Sequence, residues 1–207
     1  MFVKPIGHDR EQERMGLFHP RYLLLVAIPV TIYWAMETPE APPPQLSDVP
    51  NLNLVRYDVS GKTAKEIRAS LNANGPWVED YGRRFDALAD WNFYWDWPGY
   101  GSASCDLTKA EVTFKAKVVF PRLVGLEKLD PALQSKWTDY VSGLATHEAG
   151  HFSYAYERQQ IVEQAIANSN CSEADRAAQD AVALLAANDP IYDRATNHGA
   201  TQGAMFP

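Results

Sequence analysis

From residue 51 onward, apolar and polar positions alternate in patterns that predict most of the elements. Leu52 to Val59 alternates at period two and predicts a strand ending at Ser60-Gly61. Thr63 to Asn74 predicts a helix. Thr63 can cap it with Glu66 three residues on, Ile67 and Leu71 share one face, and Gly75-Pro76 stops it. Trp91, Phe93, Trp95 and Trp97 again recur at period two, before Pro98-Gly99 breaks the run. Burial against one sheet face is the plain reading, and the wall of a substrate groove is the alternative. Glu111 to Phe120 is the clearest strand. Val112, Phe114, Ala116, Val118 and Phe120 point one way, Thr113, Lys115 and Lys117 the other, and Pro121 is expected to end it. The polar face reads as solvent, or as part of an edge strand beside the site that could pair with an extended peptide.

The second half follows helical spacing. Asp130-Pro131 is a start signal, a cap with proline in the first turn. Trp137, Tyr140, Val141, Leu144, Glu148, His151, Phe152 and Ala155 then recur at steps of three and four. Asn168-Ser169-Asn170 breaks this helix. Ser172 with Asp175 three residues on predicts a second one, running to about Asn188 and terminated by Asp189-Pro190. The expected fold is α+β: a small, mostly antiparallel sheet packed with a C-terminal helical hairpin, in a zincin-like arrangement.

The N-terminal part obeys a different pattern. Tyr22 to Met36 is a 15-residue run without a charged side chain, preceded by Lys4, Arg10, Arg14 and Arg21. A basic flank followed by an apolar run is the pattern of an export signal. No Ala-x-Ala-like site follows, so an uncleaved signal anchor at 22–36 is preferred over a cleaved peptide, with 1–21 cytoplasmic. Residues 37–50 hold five prolines in 14 residues, an extended linker expected to pack no core. The domain is expected to span 51–207, outside the cytoplasm (periplasmic) and tethered to the inner membrane.

Composition narrows the function classes. The hydrophobic fraction of 46% and charged fraction of 22% suit a folded domain. A net charge of −7, without a basic stripe after residue 50, argues against nucleic acid as a partner. Cys105 and Cys171 are the only cysteines and lack ligand-like spacing. In an exported chain they can form a disulfide; the other reading is two unrelated buried thiols.

The candidate chemistry lies in His147-Glu148-Ala149-Gly150-His151. Histidines four residues apart project from one helix face and can share one zinc ion. Glu148, rotated about 100° from His147, would stand beside the open metal position and move protons between water and a leaving amine. His-Glu-x-x-His on a helix is a metallopeptidase signature. Of five histidines, His8 and His19 precede the apolar run, which leaves His198 as the expected third ligand. Glu173 is the rival, and Glu163 after it. Tyr192 is a candidate oxyanion stabiliser or a turn residue, and Asp193 an orienting partner for a ligand imidazole or a local turn former.

The chain also resembles a bacterial group described as predicted secreted zinc-dependent proteases. The resemblance lies in Tyr57 to Gly61, Gly75-Pro76, the segment around Trp91, Cys105, Phe120-Pro121, Thr146 to His151, Cys171 and Tyr192 to Gly199. It covers most of 52–203 and implies an exported zinc peptidase-like domain. The expected function is therefore a zinc-dependent hydrolase, a peptidase acting on protein or cell-wall peptides. The competing class is a membrane-tethered metal-binding or interaction module without turnover.

Overall fold

Phe114, Ala116, Val118 and Phe120, alternate residues of one strand, are all buried and make the centre of the core. The structure, a computed structural model, describes residues 41–207. In chain order it holds β1 (Leu52–Val59), α1 (Ala64–Asn74), β2 (Trp77–Val78), β3 (Arg83–Arg84), β4 (Leu88–Asp96) and β5 (Glu111–Leu123). Helices α2 (Pro131–Tyr156), α3 (Gln159–Ala167), α4 (Ala174–Ala186) and α5 (Asp189–Thr196) follow. The run at 22–36 and the basic segment before it lie outside the described residues. Among those described, no helix is long and apolar enough to cross a membrane.

The main sheet has the order β1-β5-β4. It is mixed rather than mostly antiparallel, because β1 pairs with β5 in parallel and β4 pairs with it antiparallel. After α1 and the short strands that follow it, β4 starts near the end where β1 leaves the sheet and runs back, and β5 reverses again, which makes it parallel to β1. A separate two-stranded ribbon joins β2 and β3. The expected strand of 111–120 becomes the central strand, and β1 and β4 are the edges. Pro121 does not end β5. The last pairing with β4 is Leu88 with Val119, so a proline two residues further removes no hydrogen bond from that ladder.

The capping predicted for α1 is present: Glu66 N–H donates to Thr63 Oγ1 at 3.2 Å, and Lys62 N–H to the Glu66 carboxylate at 2.7 Å. Asp130 caps α2 through Ala132 N–H at 2.9 Å, with Pro131 in the first turn. The stripe on α2 is buried at Trp137, Tyr140, Leu144, Glu148, His151, Phe152 and Ala155. That face packs on β4 and β5.

The helical arm after it is more broken than expected. A turn at Glu157-Arg158 separates α2 from α3, and the hairpin proper is α3 against α4. Ser172 and Asp175 do not form the predicted cap. Asp175 instead accepts Trp95 Nε1–H at 2.9 Å, a short hydrogen bond from the Tyr100 hydroxyl, and Gln179 Nε2–H at 2.6 Å. Tertiary donors outcompete a local cap worth roughly 1 kcal/mol. Asp189-Pro190 ends one helix and also opens the next, α5. The segment taken as linker joins the core at its end, where Leu46 and Val49 are buried and Gln45 Nε2–H donates to Ser142 Oγ at 2.8 Å.

Cys105 and Cys171 form a disulfide that ties the loop after β4 to the turn between α3 and α4. Their separation of 66 residues makes the closed loop long. The chain-entropy treatment then assigns the bond about 4 kcal/mol. The Cys105→Ser/Cys171→Ser pair is expected to lose stability of that order, read as a lower urea midpoint, with a steeper slope because the unfolded chain is no longer cross-linked. An unchanged midpoint would show that the packing of the α3–α4 hairpin needs no tether.

Candidate metal centre

The site forms where two helices face each other with matching periods. His147 and His151 stand one turn apart on α2, and Asp189 and Asp193 stand one turn apart on α5. His147, Glu148, His151 and Asp189 are buried. His151 sits between both carboxylates: its Nδ1 is 3.0 Å from Asp189 Oδ1 and its Nε2 is 3.1 Å from Asp193 Oδ1. His147 Nδ1 is 3.0 Å from Gln202 Oε1, and its Nε2 is 3.3 Å from the same Asp193 Oδ1.

This donor set suits a divalent cation. Asp189 and Gln202 Oε1 can only accept, so each Nδ1 donates a proton, and each Nε2 is the ring atom that stands beside Asp193 and could give its lone pair to a cation there. The ligand atoms of His147, His151 and Asp193 all lie within 4.8 Å of one another. Two atoms bound at 2.0–2.1 Å to a tetrahedral ion stand roughly 3.4 Å apart. The Nε2–Oδ1 separations of 3.1 and 3.3 Å come close to that span. The electrostatics agree. Burial by itself would lower the His151 pKa, but hydrogen bonds to Asp189 and Asp193 and the charge of Glu148 raise it to about 9. Burial would raise the Asp193 pKa, yet the two imidazoles pull it well below the usual carboxylate range. An environment that holds a proton this firmly also attracts a metal cation.

Glu148 stands beside this group. Its carboxylate accepts the backbone N–H of Ala89 at the start of β4, and burial pushes its pKa up against the opposing effect of His151 and His147. Together with His147, His151 and Asp193, it lines a cleft of about 460 Å³. The other walls are α1, the β2–β3 ribbon, the first residues of β4 and the segment after α5, from Asn197 to Met205.

The remaining predicted residues fall as follows. His198 is outside the convergent group. Its side chain is 56% exposed at the cleft mouth, with Nδ1 3.8 Å from Asp193 Oδ2. Asp193, expected to orient a ligand, is itself a member of the group. Tyr192 stacks on His147 at 5.3 Å and accepts Gln202 Nε2–H on its hydroxyl at 2.9 Å. It lines a second hollow, with Gly150 and Gln202, and not the cleft that contains Glu148. A Cβ on Gly150 would come within 2.0 Å of the Tyr192 hydroxyl, which explains the glycine inside the motif. Gly199, at φ +78°, is equally constrained: its Cβ would stand 2.9 Å from His147 Cγ. Glu163 and Glu173 are occupied elsewhere, accepting from Gln159 and Asn170.

Two site residues escaped the sequence reading. Asp189, expected to terminate a helix, has one usable signal in the sequence, its spacing of four from Asp193. Gln202 had no signal of its own. Asp189 also accepts Trp91 Nε1–H at 3.2 Å, so the buried tryptophan of β4 helps orient the carboxylate that holds His151. Both Asp189 oxygens therefore accept, and an amide can supply only one acceptor. Asp189→Asn is expected to weaken metal binding by about 10–100-fold and to destabilise the fold by roughly 1–3 kcal/mol. Chelator competition and urea denaturation measure the two effects. Unaltered metal affinity would reduce Asp189 to a packing residue.

No curated protein and no solved structure matches the chain. Residues 54–199 match a family profile, a span that begins within β1 and ends just past His198, enclosing both helices of the site. The chain thus belongs to the family described as bacterial protein of unknown function (DUF922).

Proposed function

We propose that this chain is a zinc-dependent hydrolase of peptide bonds, with His147, His151 and Asp193 as ligands and Glu148 as the proton-transfer residue. The observation that carries the reading is the placement of Glu148. Its carboxylate lies in the cleft wall beside two imidazoles whose Nε2 atoms converge on Asp193. A site serving structure alone needs no such carboxylate and fills all four positions.

When bound, the metal supplies Lewis acidity to a carbonyl and makes water acidic enough to ionise near neutrality. The chain does the rest. Glu148 takes a proton from the attacking water and returns it to the departing amine. The Ala89 N–H holds that carboxylate in place. Asp189 and Gln202 keep both imidazoles in the Nδ1–H form. Tyr192, stacked on His147, acts by positioning. Ala87 and the first two residues of the edge strand β4, Leu88 and Ala89, line the same cleft, so an extended peptide can run beside that strand.

The disulfide and the apolar run at 22–36 support action outside the cytoplasm, with the run as tether. Zinc stands ahead of other divalent ions because two imidazoles and one carboxylate with room for water are a usual catalytic zinc set. The test is incubation of the zinc-loaded chain with protein-derived and cell-wall peptides, with new termini read by mass spectrometry. Cleavage lost in Glu148→Gln supports the reading. Full zinc content without cleavage of either class would leave a metal-binding module.

A further inference from the structure

The wall of the cleft facing the metal group carries charge of the opposite sign. Arg68 of α1 and Arg83 and Arg84 of the β2–β3 ribbon all line it. Arg68 is neutralised by an ion pair with Asp86, which also accepts the Tyr140 hydroxyl at 2.8 Å. The other two are not neutralised. Arg84 Nη1–H donates to the Gly75 carbonyl at 2.6 Å, and Arg83 lies over the Phe85 ring at 4.3 Å. Among the described residues, neither has a carboxylate partner.

Each contact pins a guanidinium without consuming its charge. Arg84 spends one N–H on a neutral carbonyl, and Arg83 is held by its flat face, which leaves its edge donors free. Two oriented, exposed arginines without a carboxylate partner thus stand in one ribbon of a chain whose net charge is −7. Such a chain repels acidic ligands at long range, so local cations matter more for capturing one.

We infer that the Arg83-Arg84 ribbon is a specificity subsite for a peptide carboxylate, so that the substrates are acidic peptides or peptide C-termini. The inference rests on the hydrolase reading, in that it assigns the cleft to a peptide whose scissile amide lies at Glu148. A guanidinium edge pairs with a carboxylate through two parallel N–H donors, and both carboxylate sources share that chemistry. Substrates lacking the carboxylate would leave the arginines solvated and lose the discrimination.

The experiment uses the full zinc-loaded chain and a degenerate peptide library, prepared with free and with amidated C-termini. Wild type is expected to enrich an acidic residue at a fixed distance from the cleaved bond, by on the order of tenfold or more. If the carboxylate is the terminal one, cleavage instead keeps a fixed distance from the free C-terminus and is lost on amidation. Arg83→Gln should flatten the preference, and Arg83→Glu should turn it toward basic residues. Both changes are on an exposed side chain, and a thermal melt confirms that the variants fold. Arg84 is left in place because it also holds the Gly75 carbonyl. Cleavage without acidic or terminal preference would overturn the subsite and leave the hydrolase reading intact. Without any cleavage that reading falls, and binding decides the subsite. Fluorescein-labelled Glu and Gln peptides are then titrated against zinc-loaded Glu148→Gln chain, where equal or undetectable binding overturns it.

Discussion

Asp193→Ala is expected to empty the metal site, while His198→Ala leaves it close to fully loaded. Asp193 Oδ1 is the atom on which both imidazoles converge, at 3.1 and 3.3 Å. Removing it leaves two neutral nitrogens and no formal negative charge among the ligands. The loss should exceed the roughly 10–100-fold that follows removal of an outer partner. His198 reaches only the far oxygen of that carboxylate, and more than half of its side chain is in solvent. Its truncation removes a neighbour of the site and nothing from the convergent set. Metal analysis after dialysis, with chelator competition for affinity, compares the two variants directly. Full occupancy in Asp193→Ala with loss in His198→Ala would move the third ligand to His198 and return Asp193 to an orienting role.

Glu148→Gln is expected to abolish most turnover while keeping the metal. The substitution preserves shape, and glutamine Oε1 can still accept the Ala89 N–H. What disappears is a group able to bind and release a proton, a loss of about 10²–10⁴-fold in rate. The fold should not suffer, because the change removes a buried carboxylate whose charged form burial already disfavours. Rates are therefore to be normalised to bound zinc, with the urea midpoint measured alongside. A variant that retains zinc and wild-type turnover would exclude Glu148 as the proton carrier. A variant that loses zinc would mean that Glu148 is part of the ligand set.

Local patterning was a good guide where a single element sees a single environment. β1, α1 and α2 begin where their alternation and caps predict, because strand and helix periods and the Thr63 and Asp130 side chains act within a few residues. Patterning failed where distant donors competed. Asp175 had the spacing of a capping residue, yet Trp95 and Tyr100 claim it across the fold. The proline in β5 carried the same ambiguity. Its missing N–H matters only if a partner strand lies on that side, and β4 has already ended there.

The site divides along the same line. His147, Glu148 and His151 were legible because one helix supplies all three, and helical geometry alone determines their mutual placement. The acidic half was not, because it belongs to a second helix whose orientation depends on packing. Asp189 and Asp193 stand over His151 only once α5 lies against α2, and Gln202 reaches His147 only after the left-handed turn at Asn197, His198 and Gly199. The rarity of histidine in this chain points to His198, but rarity carries no direction, and the turn leaves that side chain 56% exposed at the cleft mouth. Short-range sterics wrote the motif into the chain. Which residues stand beside it depends on the packing of α2 against α5, an interaction between segments nearly forty residues apart that no local spacing encodes.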